Sequence, residues 1–230
     1  MIYIYGNPSS KSLKLLCTKL EAFGIEVGGG LELDRAGRNP LIICWGRNLR
    51  GMSRILNPHG PKGNKWEELT LLRKAGVSIP RFILGGQTKP EGWYARRFHH
   101  HSANDLKRNL TRGDYYSEHV DCTKEYRVHV LQNWVRVALK VPKEGENAHP
   151  TFRTHSCGWT FRYGCYCDDV SPQIVLEAKR AVASVGYDFG AVDIGVKADH
   201  TPVVFEVNSA PTLSNPSAEW YARLFFHIYR

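Results

Sequence analysis

No stretch of the 230-residue chain sustains the roughly 18 to 20 apolar residues that a membrane-crossing helix requires, so no membrane-spanning role is expected. The opening MIYIYGNPSSKSLKLL places a lysine where the apolar centre of a secretion signal would continue, which makes the cytoplasm the expected location. Without a secretory route the six cysteines are expected as reduced thiols and not as a disulfide frame. Their spacing matches no zinc module, although His155, Cys157, Cys165 and Cys167 in HSCGWTFRYGCYC are near enough in the chain to share an ion. Also missing are an arginine-rich tail, an aromatic RNA-binding strand, a recognition-helix signature, internal repeats and low-complexity tracts.

What is present reads as a folded globular chain, with 42% hydrophobic and 23% charged residues. Lysine and arginine number 31 against 22 acidic residues, a net charge of +9 that favours polyanionic partners such as nucleotide phosphates. Nucleic acid satisfies the same charge rule, but no motif singles it out.

The chain alternates strand and helix signals. MIYIYG and LIICWG read as strands around the helix SSKSLKLLCTKLEAFG, and the intervening Gly28-Gly29-Gly30 reads as a loop because it does not directly follow the first strand. The turn-rich NPHGPKGNK marks a boundary, giving a small α/β lobe over 1–56 and a larger unit over 57–230. In the latter, WEELTLLRKAG reads as a helix, VSIPRFILGG, GWYARRF and DYYSEHV as strands, and SANDLKRNL as a short helix. KEYRVHVLQNWVRVALKVP alternates over two runs broken at Gln132-Asn133, which predicts a hairpin with Arg127, His129 and Arg136 on one face. Residues 143–169 read as loops, SPQIVLEAKRAVASVG as a serine-capped helix, and the remainder as two strands and a terminal helix.

In AVDIGV and VVFEVN, carboxylates interrupt apolar runs. A half-buried strand tolerates such a group when a cation lies against it. Glu206 and Asn208 are two apart and share a face, and Asp193 on the preceding strand meets them from the side. Three hard oxygen donors of this kind suit Mg²⁺, with phosphate oxygens and water completing its shell. The alternative for the same residues is a pair of acids facing solvent or an arginine.

As a whole, GYDFGAVDIGVKADHTPVVFEVNSAPTLSN resembles the closing signature of ATP-grasp enzymes, and KWEELTLLRKAGVSIPRF resembles the family's helix, turn and strand upstream. The likeness covers roughly residues 57 to 215 and is nearest to the branch of ribosomal-protein glutamate ligase and glutathione synthetase. It implies an α/β (α+β) chain with the ATP-grasp fold: two α/β lobes, 57–120 and 121–230, holding ATP between them behind a small preceding lobe. It implies Asp193, Glu206 and Asn208 as ligands of one or two Mg²⁺ ions, with Mn²⁺ as a substitute. DYYSEHVD resembles the hinge strand, which makes Glu118, His119 and Val120 candidates for adenine and ribose, and Lys65 joins the nucleotide-contacting set. Arg127 falls on a strand like the one carrying a basic residue near the γ-phosphate, and Lys140 and Arg153 fall where further basic groups face the reacting carboxylate.

YARRFHHHSAND departs from the pattern, because its loop has no glycine and Arg96 or Arg97 stands where a phosphate-binding lysine is usual. The His99-His100-His101 run reads as a substrate-site lining, a metal trap or a solvated turn. The activity implied is ATP-dependent carboxylate–amine ligation through an acyl-phosphate, with peptide or small-molecule substrates and with His129 or His155 available to the amine. The alternatives are kinase-type phosphoryl transfer on the same fold and a catalytically degenerate module that only binds nucleotide or nucleic acid.

Overall fold

Ile2, Tyr3 and Ile4 are buried at the centre of a small parallel sheet. In the computed structural model, which describes residues 1–36, 38–60, 63–86, 88–99, 110–164 and 170–230, strand β1 (Ile2–Gly6) lies between β2 (Val27–Gly30) and β3 (Leu41–Trp45). The short β4 (Ile55–Leu56) extends the far edge. Parallel neighbours need a crossover, supplied after β1 by helix α1 (Lys11–Glu21), which starts where the Ser10 hydroxyl accepts from the Leu13 amide. The Gly28–Gly30 run, expected as a loop, is instead part of edge strand β2. A Cβ on Gly28 would meet the Tyr3 ring at 2.7 Å, and one on Gly29 would meet Leu13 Cδ2 at 2.9 Å. Glycine lets this strand approach both β1 and α1.

Helix α2 (Lys65–Lys74), capped by the Asn64 side chain, leads into a three-stranded antiparallel sheet. Its strands β5 (Phe82–Leu84), β6 (Trp93–Arg96) and β7 (Tyr115–Glu118) run in the order β5-β7-β6. The helix expected over 102–110 falls almost wholly outside the described residues.

The largest sheet is antiparallel, in the order β10-β9-β8-β11-β12. It comprises β8 (Lys124–Leu131), β9 (Trp134–Pro142), β10 (Trp159–Tyr163), β11 (Phe189–Val196) and β12 (Pro202–Asn208). β10 corrects the reading of 143–169 as loops. Its Trp159, Phe161 and Tyr163 alternate at the strand period, a signal masked by the polar, glycine-containing sequence around it.

Helix α3 (Pro172–Ser184) covers one face of this sheet. Tyr126, Val128, Val130, Val192, Ile194 and Val204 pack there with Ile174, Ala178, Ala181 and Val182, and Leu69 and Leu72 of α2 complete the core from the smaller lobe. Helix α4 (Asn215–Tyr229) turns away to pack on α1 and the first sheet, where Tyr221 and Phe225 join Ile2, Ile4, Leu13 and Leu16. The first sheet is thus built from residues 2–56, while its core is shared with the last helix.

Asn57 ties the two parts together. It is fully buried at φ 56°, its side-chain oxygen accepts from the Asp188 and Phe189 amides, and its amide nitrogen donates to the Phe189 carbonyl. No described helix is long and apolar enough to cross a membrane.

Candidate active site

The large sheet has a second face, opposite α3, and strand alternation loads it with charge. Because β8 turns Tyr126, Val128 and Val130 into the core, it must turn Glu125, Arg127 and His129 the other way. The strand register then lines up three rows across the sheet. The row nearest the start of β8 holds Phe161, Lys140, Glu125 and Gly195. The middle row holds Tyr163, Ala138, Arg127, Asp193 and Glu206, and the third holds Arg136, His129, Ala191 and Asn208.

Glu206 reaches this face through an irregularity. Asp193 pairs with Glu206 but the next residue, Ile194, pairs with Val204, so Phe205 is the extra residue of a bulge. In an unbroken strand Glu206 would share the core-facing side of Val204. The bulge brings the carboxylate round to stand directly across from Asp193.

Each carboxylate has a cation. Arg127 grips Asp193 through Nε at 2.7 Å and a terminal nitrogen at 2.8 Å, with both side chains only 12% exposed. Burial works against the charge of Arg127, but Asp193 outweighs it and holds the guanidinium proton above its ordinary range. Its other flank lies over the Phe161 ring at 4.3 Å. Lys65, at the start of α2, reaches Glu206 on β12 at 3.3 Å and pairs with Glu68 of its own helix at 2.8 Å. Burial disfavours the charge on Glu206, yet Lys65, the Asn208 amide at 2.8 Å and Arg127 together hold its carboxyl well below the usual range. Lys65 is raised despite its own burial, by Glu68 and Glu206.

Lys140 and Arg153 converge on Glu125, at 2.7 and 3.6 Å, and Arg153 also donates to the Cys122 carbonyl at 2.7 Å. The segment Glu118–Asp121 after β7 faces Lys197–Asp199 across a shallow cleft at the same end of the sheet. Glu118 is engaged there by Arg81, with contacts of 2.9 and 3.0 Å that hold its carboxyl below the usual range, so this acid is already paired. His119 and Tyr94 stack edge-on at 5.3 Å, and Val120 lines the cleft beside them. Arg96 shares the Tyr94 face of β6, whereas Arg97 points away to Asp114 at 3.1 Å.

His129 is fully buried, with its ring nitrogens 3.3 Å from the Tyr221 hydroxyl and 3.0 Å from the Tyr163 hydroxyl. Burial, aided by Arg127 and Arg136, pushes its pKa down to about 3. A ring so held is a neutral structural group and does not suit the base role that the sequence left open for it. His155 lies in a short 3₁₀ turn, His155–Cys157, and is exposed. Cys165, Cys167, His100 and His101 lie outside the described residues, and among the described ones no cluster of three or more His, Cys, Asp or Glu side chains could hold a metal.

The structure therefore brings Asp193, Glu206, Asn208, Arg127 and Lys65 into one cluster and Lys140 with Arg153 into a second beside it. Glu118, His119 and Val120 line the cleft, and Arg96 lies on the Tyr94 face of β6. Sequence reasoning missed Glu68, Glu125 and Phe161. Glu125 lies two residues before Arg127 on an alternating strand, which is the signal that could have found it.

The donor set fits a hard divalent cation. Asp193 and Glu206 stand at directly paired positions with Arg127 and Lys65 beside them, and Glu206 keeps 37% of its side chain exposed. Carboxylate and amide oxygens are the ligands Mg²⁺ prefers.

No protein-family model and no curated protein sequence matches the chain. Solved structures do. A structure of the ATP-grasp ligase PsnB complexed with minimal precursor, Mg and ADP is similar over 100% of this chain and 97% of its own, at 14% identity and a TM-score of 0.66. The macrocyclase MdnC bound with precursor peptide MdnA, from Microcystis aeruginosa MRC, aligns over 99% of this chain and 100% of its own, at 14% identity and a TM-score of 0.63. D-alanine–D-alanine ligase from Bacillus anthracis aligns over 99% and 94%, at 13% identity and a TM-score of 0.66. The chain has the ATP-grasp fold.

Proposed function

We propose that this protein is an ATP-dependent carboxylate–amine ligase that activates its acid substrate as an acyl-phosphate. The observation that carries the reading is the bulge at Phe205, which costs a regular strand and places Glu206 across from Asp193 beside Arg127. A fold kept only for its shape gains nothing from two carboxylates pressed together.

In this reading Glu118, His119 and Val120 receive the nucleotide base at the hinge, and Arg96 and Lys65 meet its phosphates. Asp193, Glu206 and Asn208 would hold Mg²⁺, which when bound supplies charge neutralisation to the phosphates. Arg127 lies in the same row, where a guanidinium released from Asp193 grips phosphate in a fork. Phosphoryl transfer then needs positioning and charge compensation, and no covalent protein nucleophile. Lys140 and Arg153 flank the reacting carboxylate, and the amine displaces phosphate from the activated acid. A peptide or small-molecule acid serves equally well at this level; PsnB is complexed with a minimal precursor and MdnC with a precursor peptide. None of these neighbours is described as binding nucleic acid, and that partner is not part of the proposal.

The test is incubation with ATP, Mg²⁺, pooled carboxylic acids and hydroxylamine. Hydroxamate formed together with ADP is expected. ADP and a phosphorylated product without hydroxamate would show a kinase, and no ADP at all would show a binding module.

A further inference from the structure

The cations on this sheet face are almost all spent on the protein's own acids: Arg127 on Asp193, Lys140 and Arg153 on Glu125. Arg136 is different. The side chain is half-buried, and its Nε is buried with no hydrogen-bond partner among the described residues. The nearby acid Glu219 is occupied by Arg223 at 2.6 Å. A buried, unsatisfied N–H on a charged group costs stability, so its retention calls for a ligand.

The surroundings are shaped for one. The Arg136 guanidinium lies 5.5 Å from the centre of the Tyr163 ring. Tyr163 is fixed in turn by His129 at 3.0 Å, and His129 by Tyr221 at 3.3 Å and by the flank of Trp220. The acid nearest this wall, Glu219, precedes Trp220 in the chain; it feels the charge of Arg136 but is held by Arg223. Arg136 and His129 are paired across β9 and β8 in the third row, one row beyond Arg127 toward the β8–β9 turn. Two strand residues separate the rows, about 7 Å.

We propose that Arg136 anchors a second carboxylate of the acid substrate, about one row away from the carboxylate that is activated beside Arg127. The substrate is then a dicarboxylate, either a small free diacid or two acid groups carried on a peptide. This rests on the ligase reading for the role of the first carboxylate, but the anchoring itself is a binding property that does not need turnover.

Calorimetric binding separates the two. The probes are butyrate and hexanoate, the diacids from succinate to pimelate, and short peptides with one or two acidic side chains. They are titrated into the full chain and into Arg136→Gln, whose fold is checked by thermal melting. At least one diacid or doubly acidic peptide should bind the wild type at least tenfold more tightly than its monoacid counterpart, and Arg136→Gln should abolish that preference. Preference for free diacids identifies a small metabolite, and preference for doubly acidic peptides identifies a peptide. Equal binding of mono- and diacids, an undiminished preference in Arg136→Gln, or no binding of any probe overturns the proposal. If the preference is present but no ADP forms with any acid and amine, the anchor stands and the ligase reading falls. If hydroxamate forms equally from mono- and diacids in both proteins, the ligase stands and the anchor falls.

Discussion

Arg127 and Asp193 occupy directly paired positions on β8 and β11, and the guanidinium holds the carboxylate through two contacts of 2.7 and 2.8 Å. The pair is nearly closed to solvent, so each charge depends on the other in a way that a surface ion pair does not. The same relationship puts the phosphate-seeking group and the metal-seeking group of the proposed site on one shared row.

Removing one partner should therefore be costly. Arg127→Ala leaves Asp193 buried without its counter-charge and is expected to lower stability by about 3 kcal/mol. Urea unfolding measures it. The double variant Arg127→Leu, Asp193→Leu should recover much of the loss, because both charges go together; a single variant as stable as wild type would show that the pair is not structurally coupled.

Glu206→Gln keeps the shape of the side chain and removes its charge. ADP formation should fall by about 10²-fold or more, the scale seen when a single preorganised electrostatic contact is lost. The fold should persist, since Glu206 is partly exposed. A wild-type rate of ADP formation in this variant would remove it from the metal site.

His129 makes the acid side of the stability profile steep. Its pKa is about 3 when folded against the ordinary 6.5, so between those values the unfolded chain binds a proton that the folded one refuses. The stabilisation is complete above pH 6.5 and is lost as the pH falls toward 3, at up to about 1.4 kcal/mol per unit. Comparing urea midpoints of wild type and His129→Gln from pH 7 to 4 should give a shallower slope for the variant. Parallel slopes would mean that His129 does not refuse the proton.

Gly195 has no room for a side chain. A Cβ there would run into Cys122 Sγ and approach the Phe205 ring at 2.6 Å. Gly195→Ala should cost about 1 to 3 kcal/mol by overpacking, and adding Cys122→Ala should relieve part of it in thermal melts. Full stability in the single variant would mean that the bulged Phe205 is free to move aside.

How far the sequence could be read differed from element to element. The β8–β9 hairpin was legible to the residue, because period-two alternation is a local property and Gln132-Asn133 breaks it. β2 was not, because its identity as a strand rests on what Gly28 and Gly29 allow to approach, Tyr3 and Leu13, and a glycine run alone carries no such information. β10 was missed although its alternation is present, since the short run Trp159–Tyr163 is flanked by turn-forming residues.

By itself the sequence determined which side chains alternate onto one face and that Asp193, Glu206 and Asn208 carry oxygen donors, because strand periodicity and donor chemistry belong to the residues. Only the tertiary structure decided which cation each acid meets. Lys65 and Glu206 are 141 residues apart, and their contact exists because α2 packs over the edge of the large sheet. Likewise the bulge that turns Glu206 toward Asp193 is a matter of register between two strands, and that Arg136 Nε meets no hydrogen-bond partner among the described residues is decided by what packs around it.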